Sequence, residues 1–370
     1  MDEEKPLAQE KNKPSRHSGI DLLRVIAILL ICFFHANQTF ANTIGISQLD
    51  NFSKIITLGF IPFGTIGNVL FVICSSFFLA DKTKTRTEKA IGLLFDSMLI
   101  SICILFGFLI SGESLSLKTI IYQITPDLFK NNWFVPCYVI FYILAPIVVL
   151  GLKQFSRKAH FGLVIFSFIV YGCLSMIDLA PVGSNLLQFF YVLNLTAFVK
   201  WHCPSVCINK KTNLIIAIIG IVITYIGHFG FALLAKYISF FGRIEFVNMY
   251  APILVISLVC LFNAFKEMKF ENKFFSYLSS CSLFVYVIHE NYLLRRITRV
   301  SYYEWAVANY GISSGIVYVV ACGVFMIVVS FVLAAIYKES LHRLTNKLAC
   351  AINNFIGRIM DWLYLRLFKE

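Results

Sequence analysis

Two ionisable side chains share the first apolar stretch of this chain. Arg24 follows Ile20-Asp21-Leu22-Leu23, and His35 stands eleven positions further on. Charge at membrane depth is costly, so each such residue is a functional candidate. Eleven residues at 3.6 per turn make close to three helical turns, which puts both on one face, about 16 Å apart along the axis. Arginine offers a permanent, planar charge that grips phosphate in a bidentate manner. Histidine exchanges a proton near neutral pH. Asp21 lies three residues before Arg24 and could pair with it. A plainer reading has Arg24 snorkelling to the surface and His35 as a satisfied polar group near the rim; two such residues on one face favour a lined cavity. A second pair, His289-Glu290, closes a late apolar stretch. Counted from Tyr277, His289 lies roughly 18 Å along its helix, at a depth similar to His35. Glu290, as its neighbour, falls on a different face.

The elements that must position these residues are membrane helices. The 370 residues are 58% hydrophobic and 14% charged, with 37 phenylalanines. A soluble domain is nearer half apolar and a quarter charged. Long apolar runs cover 20–40, 56–80, 89–111, 134–151, 161–177, 187–200, 213–235, 246–265, 277–296 and 313–337. They are continuous rather than alternating, so helices and not a barrel are indicated. The net charge of +12 is read by position and not as a nucleic-acid signal. With the N-terminus inside, each inner loop is basic, as at Lys82, Lys84, Arg86 and Lys89, while the outer segment 178–186 has no cation. This bias predicts ten spans with both ends cytoplasmic.

The expected fold is therefore all-α: a cytoplasmic tail over 1–18, a ten-helix membrane domain over 19–337, and a basic amphipathic tail helix over 338–370 lying on the inner face. The polar N-terminus lacks the pattern of a cleaved signal peptide. The outer segment 112–132 is expected to fold over the outer mouth. His202, Cys203 and Cys207 form the only local cluster of ligating types, at a spacing poor for zinc, so no metal is expected.

The pattern Asp21-x-x-Arg24-x10-His35 at the start of such a chain resembles the membrane acyltransferase family 3, bacterial enzymes that O-acylate cell-surface glycans. Three later stretches agree, in the family's order. Gly67-Asn68-Val69-Leu70-Phe71-Val72-Ile73-Cys74-Ser75-Ser76-Phe77 resembles its second-helix segment, with Asn68 and Ser76 where proline and glycine are common. Trp133-Phe134 leading to Tyr142-Ile143-Leu144-Ala145-Pro146 resembles a second stretch, and Ser282-Leu283-Phe284-Val285-Tyr286-Val287-Ile288-His289 a third.

The resemblance implies an acyl-CoA donor, acetyl-CoA foremost, from the cytoplasm. It implies an acceptor hydroxyl on an envelope polysaccharide or lipid-linked glycan at the outer face, with the enzyme a multi-pass protein of the cytoplasmic membrane. On that reading Arg24, with Lys84 and Arg86 of the inner loop and Ser75 and Ser76 of the second span, would contact the donor. His35 would be the general base or a covalent acyl carrier. His289 or Glu290 would orient His35 or bind the sugar. Trp133 would stack on sugar or belong to the interfacial belt. Arg295, Arg296 and Arg299 cluster at the outer end and would attract an anionic glycan or sit at the headgroups. A proton-coupled transporter or flippase is the rival, because buried Arg, His and Glu also build such sites; the internal repeats usual in transporters are not evident.

Overall fold

In an apolar solvent each backbone N–H and C=O must bond within its own segment, and this chain meets that condition with helices throughout. The computed structural model describes residues 18–128, 132–177, 185–205, 209–248, 251–268 and 270–368, and among these there is no strand. A helix lies under each of the ten apolar runs. In chain order these are α1 (Ser18–Ile44), α2 (Asn51–Leu79), α3 (Thr87–Ile110), α5 (Phe134–Lys153), α6 (Arg157–Met176), α7 (Asn185–His202), α8 (Lys210–Leu234), α9 (Pro252–Lys266), α10 (Lys273–His289) and α12 (Gly315–Ser340). The short α4 (Leu117–Ile124) and α11 (Arg299–Tyr310) and the tail helix α13 (His342–Phe368) complete the set. Among the described residues, seven helices are long and apolar enough to cross a membrane. Helices α7, α9 and α10, of 18, 15 and 17 residues, are the short members.

α1 is the axial helix, contacted by α2, α9, α10, α11 and α12. Small residues let its neighbours approach. A Cβ on Gly67 of α2 would stand 2.6 Å from the Ala27 carbonyl oxygen, and one on Gly19 would stand 1.9 Å from the Phe265 carbonyl oxygen. α10 runs alongside α1 in the same direction. The Ser276 hydroxyl donates to Asp21 (2.7 Å) near their starts, and His289 meets His35 further along. Between those ties the two helices share a buried apolar core with Ile28, Ile31, Val285 and Ile288.

The tail expected over 1–18 lies outside the described residues except for Ser18, which is helical. Two expectations change. The run 277–296 is not one helix: α10 stops at His289, Glu290 caps it, and the Asn291 side chain accepts from the Leu293 N–H (3.0 Å) as the chain turns. A widened π-type turn over Leu294–Thr298 then leads into α11. The tail helix forms, and its first turns are tied to α3. Buried Asp96 of α3 accepts from the hydroxyls of Tyr337 (2.6 Å) and Thr345 (2.5 Å) and from His342 Nδ1 (3.1 Å). Thr87 at the start of α3 bonds Asn353. α13 thus runs antiparallel along α3 between these ties, because Asp96 offers a buried acceptor that a freely lying helix would leave bare.

Candidate active site

The break after His289 is what assembles the site. In an unbroken helix His289 and Glu290 would face apart; at a helix end both reach back toward α1. The donor atoms of His35, His289 and Glu290 lie within 4.8 Å of one another, and the two imidazole rings are 5.4 Å apart. Glu290 is 6% exposed and carries three neighbours of positive or protonatable type: Arg299 Nη2 at 2.7 Å, Arg295 Nη1 at 3.3 Å and His35 Nδ1 at 3.5 Å. The π-type turn, a device frequent at functional sites, carries both arginines to the carboxylate. Arg299 Nη2 also donates to the His289 carbonyl (3.0 Å), which pins the cluster to the end of α10.

Hydrogen bonds assign the tautomers. His35 Nδ1 faces only acceptors, Glu290 Oε1 and Gln38 Oε1 (3.3 Å). Nδ1 therefore carries the proton, and Nε2 keeps its lone pair. His289 Nδ1 faces the Val285 carbonyl at 2.8 Å, so its Nε2 also keeps a lone pair, and that atom is buried with no partner among the described residues. Arg299, itself 4% exposed, leaves Nε and Nη1 unpartnered among the described residues. The site thus holds two proton acceptors and two spare guanidinium donors. Its ligand types could hold a cation, but two guanidiniums already balance the Glu290 charge.

The polar layer beyond the site comes from the segment between α3 and α5. The Asn291 amide donates to Ser101 Oγ (3.3 Å) and also lies 2.9 Å from the amide of Gln123 on α4. Asp127 accepts from Ser97 (3.0 Å) and from Asn132 (3.2 Å). This segment folds into the bundle mouth, as its mixed polarity suggests. Burial pushes the half-buried Asp127 carboxyl up to about 6, against the smaller opposing effect of its hydrogen bonds. Its charged form therefore weakens the folded state, a penalty present above that value and relieved as pH falls through it. The Asp127→Asn variant, neutral throughout, should be more stable than wild type at pH 7.5 by on the order of 2 kcal/mol. That difference should shrink at pH 5 when thermal unfolding is followed in detergent; a difference independent of pH would refute the assignment.

The other predicted residues disperse. Arg24 is half-buried beside Cys74, its guanidinium 5.4 Å from the Phe78 ring centroid, a separate location on the α1–α2 face. Ser75 is bound to Tyr138 (3.1 Å) and to the Phe71 carbonyl (3.0 Å), while Ser76 is buried with its hydroxyl unpartnered among the described residues. Lys84 is exposed, and Arg86 pairs with Glu88 at 2.8 Å. Trp133 is half-buried against Phe134 and Phe189. Arg295 is paired with Glu290.

Two cavities adjoin this framework. One, of about 440 Å³, lies among α3, α5, α10 and α13, lined by Lys89, Asp96, Tyr138, Tyr142, His342 and Asn346 among others. It links to Ser75 through Tyr138, and Arg86 lies within electrostatic reach of Tyr142. The other, of about 500 Å³, opens beside His289 and Arg299.

Sequence reasoning left Arg299 in an undifferentiated basic cluster. The signal was present: Arg295 and Arg299 are four apart, hence on one helical face, a few residues past a buried-type glutamate that needs a counter-charge. No curated protein and no solved structure matches the chain significantly. The family model described as an acyltransferase domain matches residues 17–335, a stretch that contains α1 with His35, the broken end of α10 and both arginines of the Glu290 network. The chain belongs to the membrane acyltransferase family 3, and is an acyltransferase by membership.

Proposed function

We propose that this protein is an O-acyltransferase of the cytoplasmic membrane, spanning it ten times with both termini inside. Its donor is a cytoplasmic acyl-CoA, acetyl-CoA in its smallest form. Its acceptor is a hydroxyl of an envelope polysaccharide or lipid-linked glycan at the outer face. One observation carries this reading: the buried cluster in which Glu290 faces the protonated nitrogen of His35 and leaves Nε2 free as a base.

The roles follow from that geometry. His35, 12% exposed at its side chain, is the more accessible imidazole and takes the acceptor proton as the hydroxyl oxygen attacks the thioester carbon. Glu290 holds its tautomer and supports the charge that forms, as carboxylates do beside catalytic imidazoles. Arg299 supplies fixed donors for the developing oxyanion. Lys89 and Arg86, at and near the cavity walled by Tyr138 and Tyr142, offer positive charge to the CoA phosphates. This shifts the donor contacts expected of Arg24 and Lys84 toward the α3–α5 cavity.

The test is a reconstitution. Protein in liposomes, given radiolabelled acyl-CoA on the cytoplasmic side and glycan on the other, should release free CoA and label the glycan. Uptake of an unmodified solute with no CoA release would instead establish the transporter reading.

A further inference from the structure

The cavity of about 500 Å³ beside His289 has an uneven character. Its walls are apolar: Leu294, Tyr302, Cys322, Phe325, Met326 and Val329, from the π-type turn, α11 and α12. Its inner end is polar, formed by His289, Thr298 and Arg299. Along α12 the lining runs from Ala321 to Ser330, and its apolar part, to Val329, covers about 12 Å by helical rise. Ala321 and Phe325 are exposed on the apolar outer surface of the bundle, so the cavity is a groove open to the side.

Three occupants meet an apolar groove at the edge of a membrane protein. A structural lipid tail ends in a methyl group, which would leave the Arg299 Nε and Nη1 donors unpaired in an apolar setting, a costly arrangement. A lipid-linked acceptor places sugar between its lipid and the reacting hydroxyl, so polar walls would be needed where this groove is apolar. An acyl chain bonded directly to the reacting carbonyl fits both ends. Its carbonyl oxygen meets the spare guanidinium donors, and its hydrocarbon continues straight into the apolar walls. We infer that this groove is the acyl-chain site of the donor, and that the group transferred is longer than acetyl, extending to roughly eight to ten carbons by the groove's length.

This rests on the acyl-transfer reading above. In the step, the acceptor oxygen forms a bond to the acyl carbon and the carbon–sulfur bond of the thioester breaks. The hydroxyl proton passes to His35 Nε2 and then to the departing thiolate, leaving free CoA and an ester.

The experiment is a chain-length series. Purified protein in nanodiscs receives acetyl-, butyryl-, octanoyl- and decanoyl-CoA with a glycan acceptor, and CoA release and ester formation are followed. The expected result is a kcat/KM at least tenfold higher for octanoyl- or decanoyl- than for acetyl-CoA. Ala321→Phe and Val329→Phe, which narrow the groove from two heights, should each lower the decanoyl-to-acetyl ratio about tenfold. Acetyl-CoA used as well as or better than the longer donors, or a ratio unmoved in both variants, overturns the groove assignment and leaves acyl transfer standing. CoA release from none of the four donors overturns both.

Discussion

Replacing His35 by alanine should lower acyl transfer on the order of 10³-fold, with KM for the donor and thermal stability little changed. The magnitude is what removal of a positioned general base ordinarily does. The split between kcat and KM follows from separation: the cavity proposed for the CoA phosphates lies among α3, α5, α10 and α13, whereas His35 stands on α1 against Glu290. The fold should tolerate the change because His35 is not itself a charge that the core must neutralise. Glu290 keeps Arg299 and Arg295 as partners when the imidazole is removed. The same measurement on His289→Ala separates the two imidazoles. His289 is 2% exposed and packs against Tyr286 and His35, so its loss should affect stability as well as rate. Full acyl transfer by a stably folded His35→Ala protein would remove the proton-acceptor role. A labelled acyl group trapped on wild-type His35 in the absence of acceptor would replace direct attack with a covalent carrier, since the same lone pair serves either chemistry.

The helices were legible in the sequence for a physical reason: an apolar solvent leaves few ways to satisfy a backbone, so long apolar runs can be read directly. His35 was legible for the same reason, as a costly side chain in such a run. The companion of His35 was named in the sequence but placed on the wrong geometry. An unbroken helix over 277–296 would aim Glu290 away from His289. The break at His289 is held by Asn291, locally to the Leu293 N–H and across the bundle to Ser101, bonds that hydropathy does not register. Arg299 was missed because a basic cluster near a span end is ordinarily explained by headgroups, and only the fold shows that it turns inward to 4% exposure. The contacts proposed for the donor were least legible. Arg24 has the right chemistry for phosphate, yet it faces Cys74 and Phe78. The residues around the α3–α5 cavity come from four separate elements, and spacing along the chain does not predict that convergence. Asp96 was overlooked altogether, since one aspartate inside an apolar run reads as an interruption until Tyr337, His342 and Thr345 are brought to it.

The Glu290–Arg299 pair carries the second large effect, and a double variant can divide its structural from its chemical part. Glu290→Gln removes a carboxylate that faces a guanidinium at 2.7 Å, in a place where that guanidinium is 4% exposed. Breaking a buried pair from one side leaves an uncompensated charge, which costs about 3–5 kcal/mol. Arg295, with 30% of its side chain exposed, recovers hydration when released, so most of that cost belongs to Arg299. Adding Arg299→Met removes the stranded charge and fills its volume with an apolar chain. The double variant should therefore regain most of the stability lost by Glu290→Gln alone, as replacing both members of a buried pair commonly does. Its acyl transfer should stay at least 10²-fold down, because His35 has lost the carboxylate charge that supports its imidazolium and the reacting carbonyl has lost its donors. Unfolding in detergent and CoA release, measured on the two single variants and the double, give the cycle. Two results would contradict this account. Additive stability losses would mean that the two side chains do not couple. Recovery of activity together with stability would mean that the pair serves only to hold the end of α10 against α1, and that the chemistry of His35 needs no carboxylate behind it.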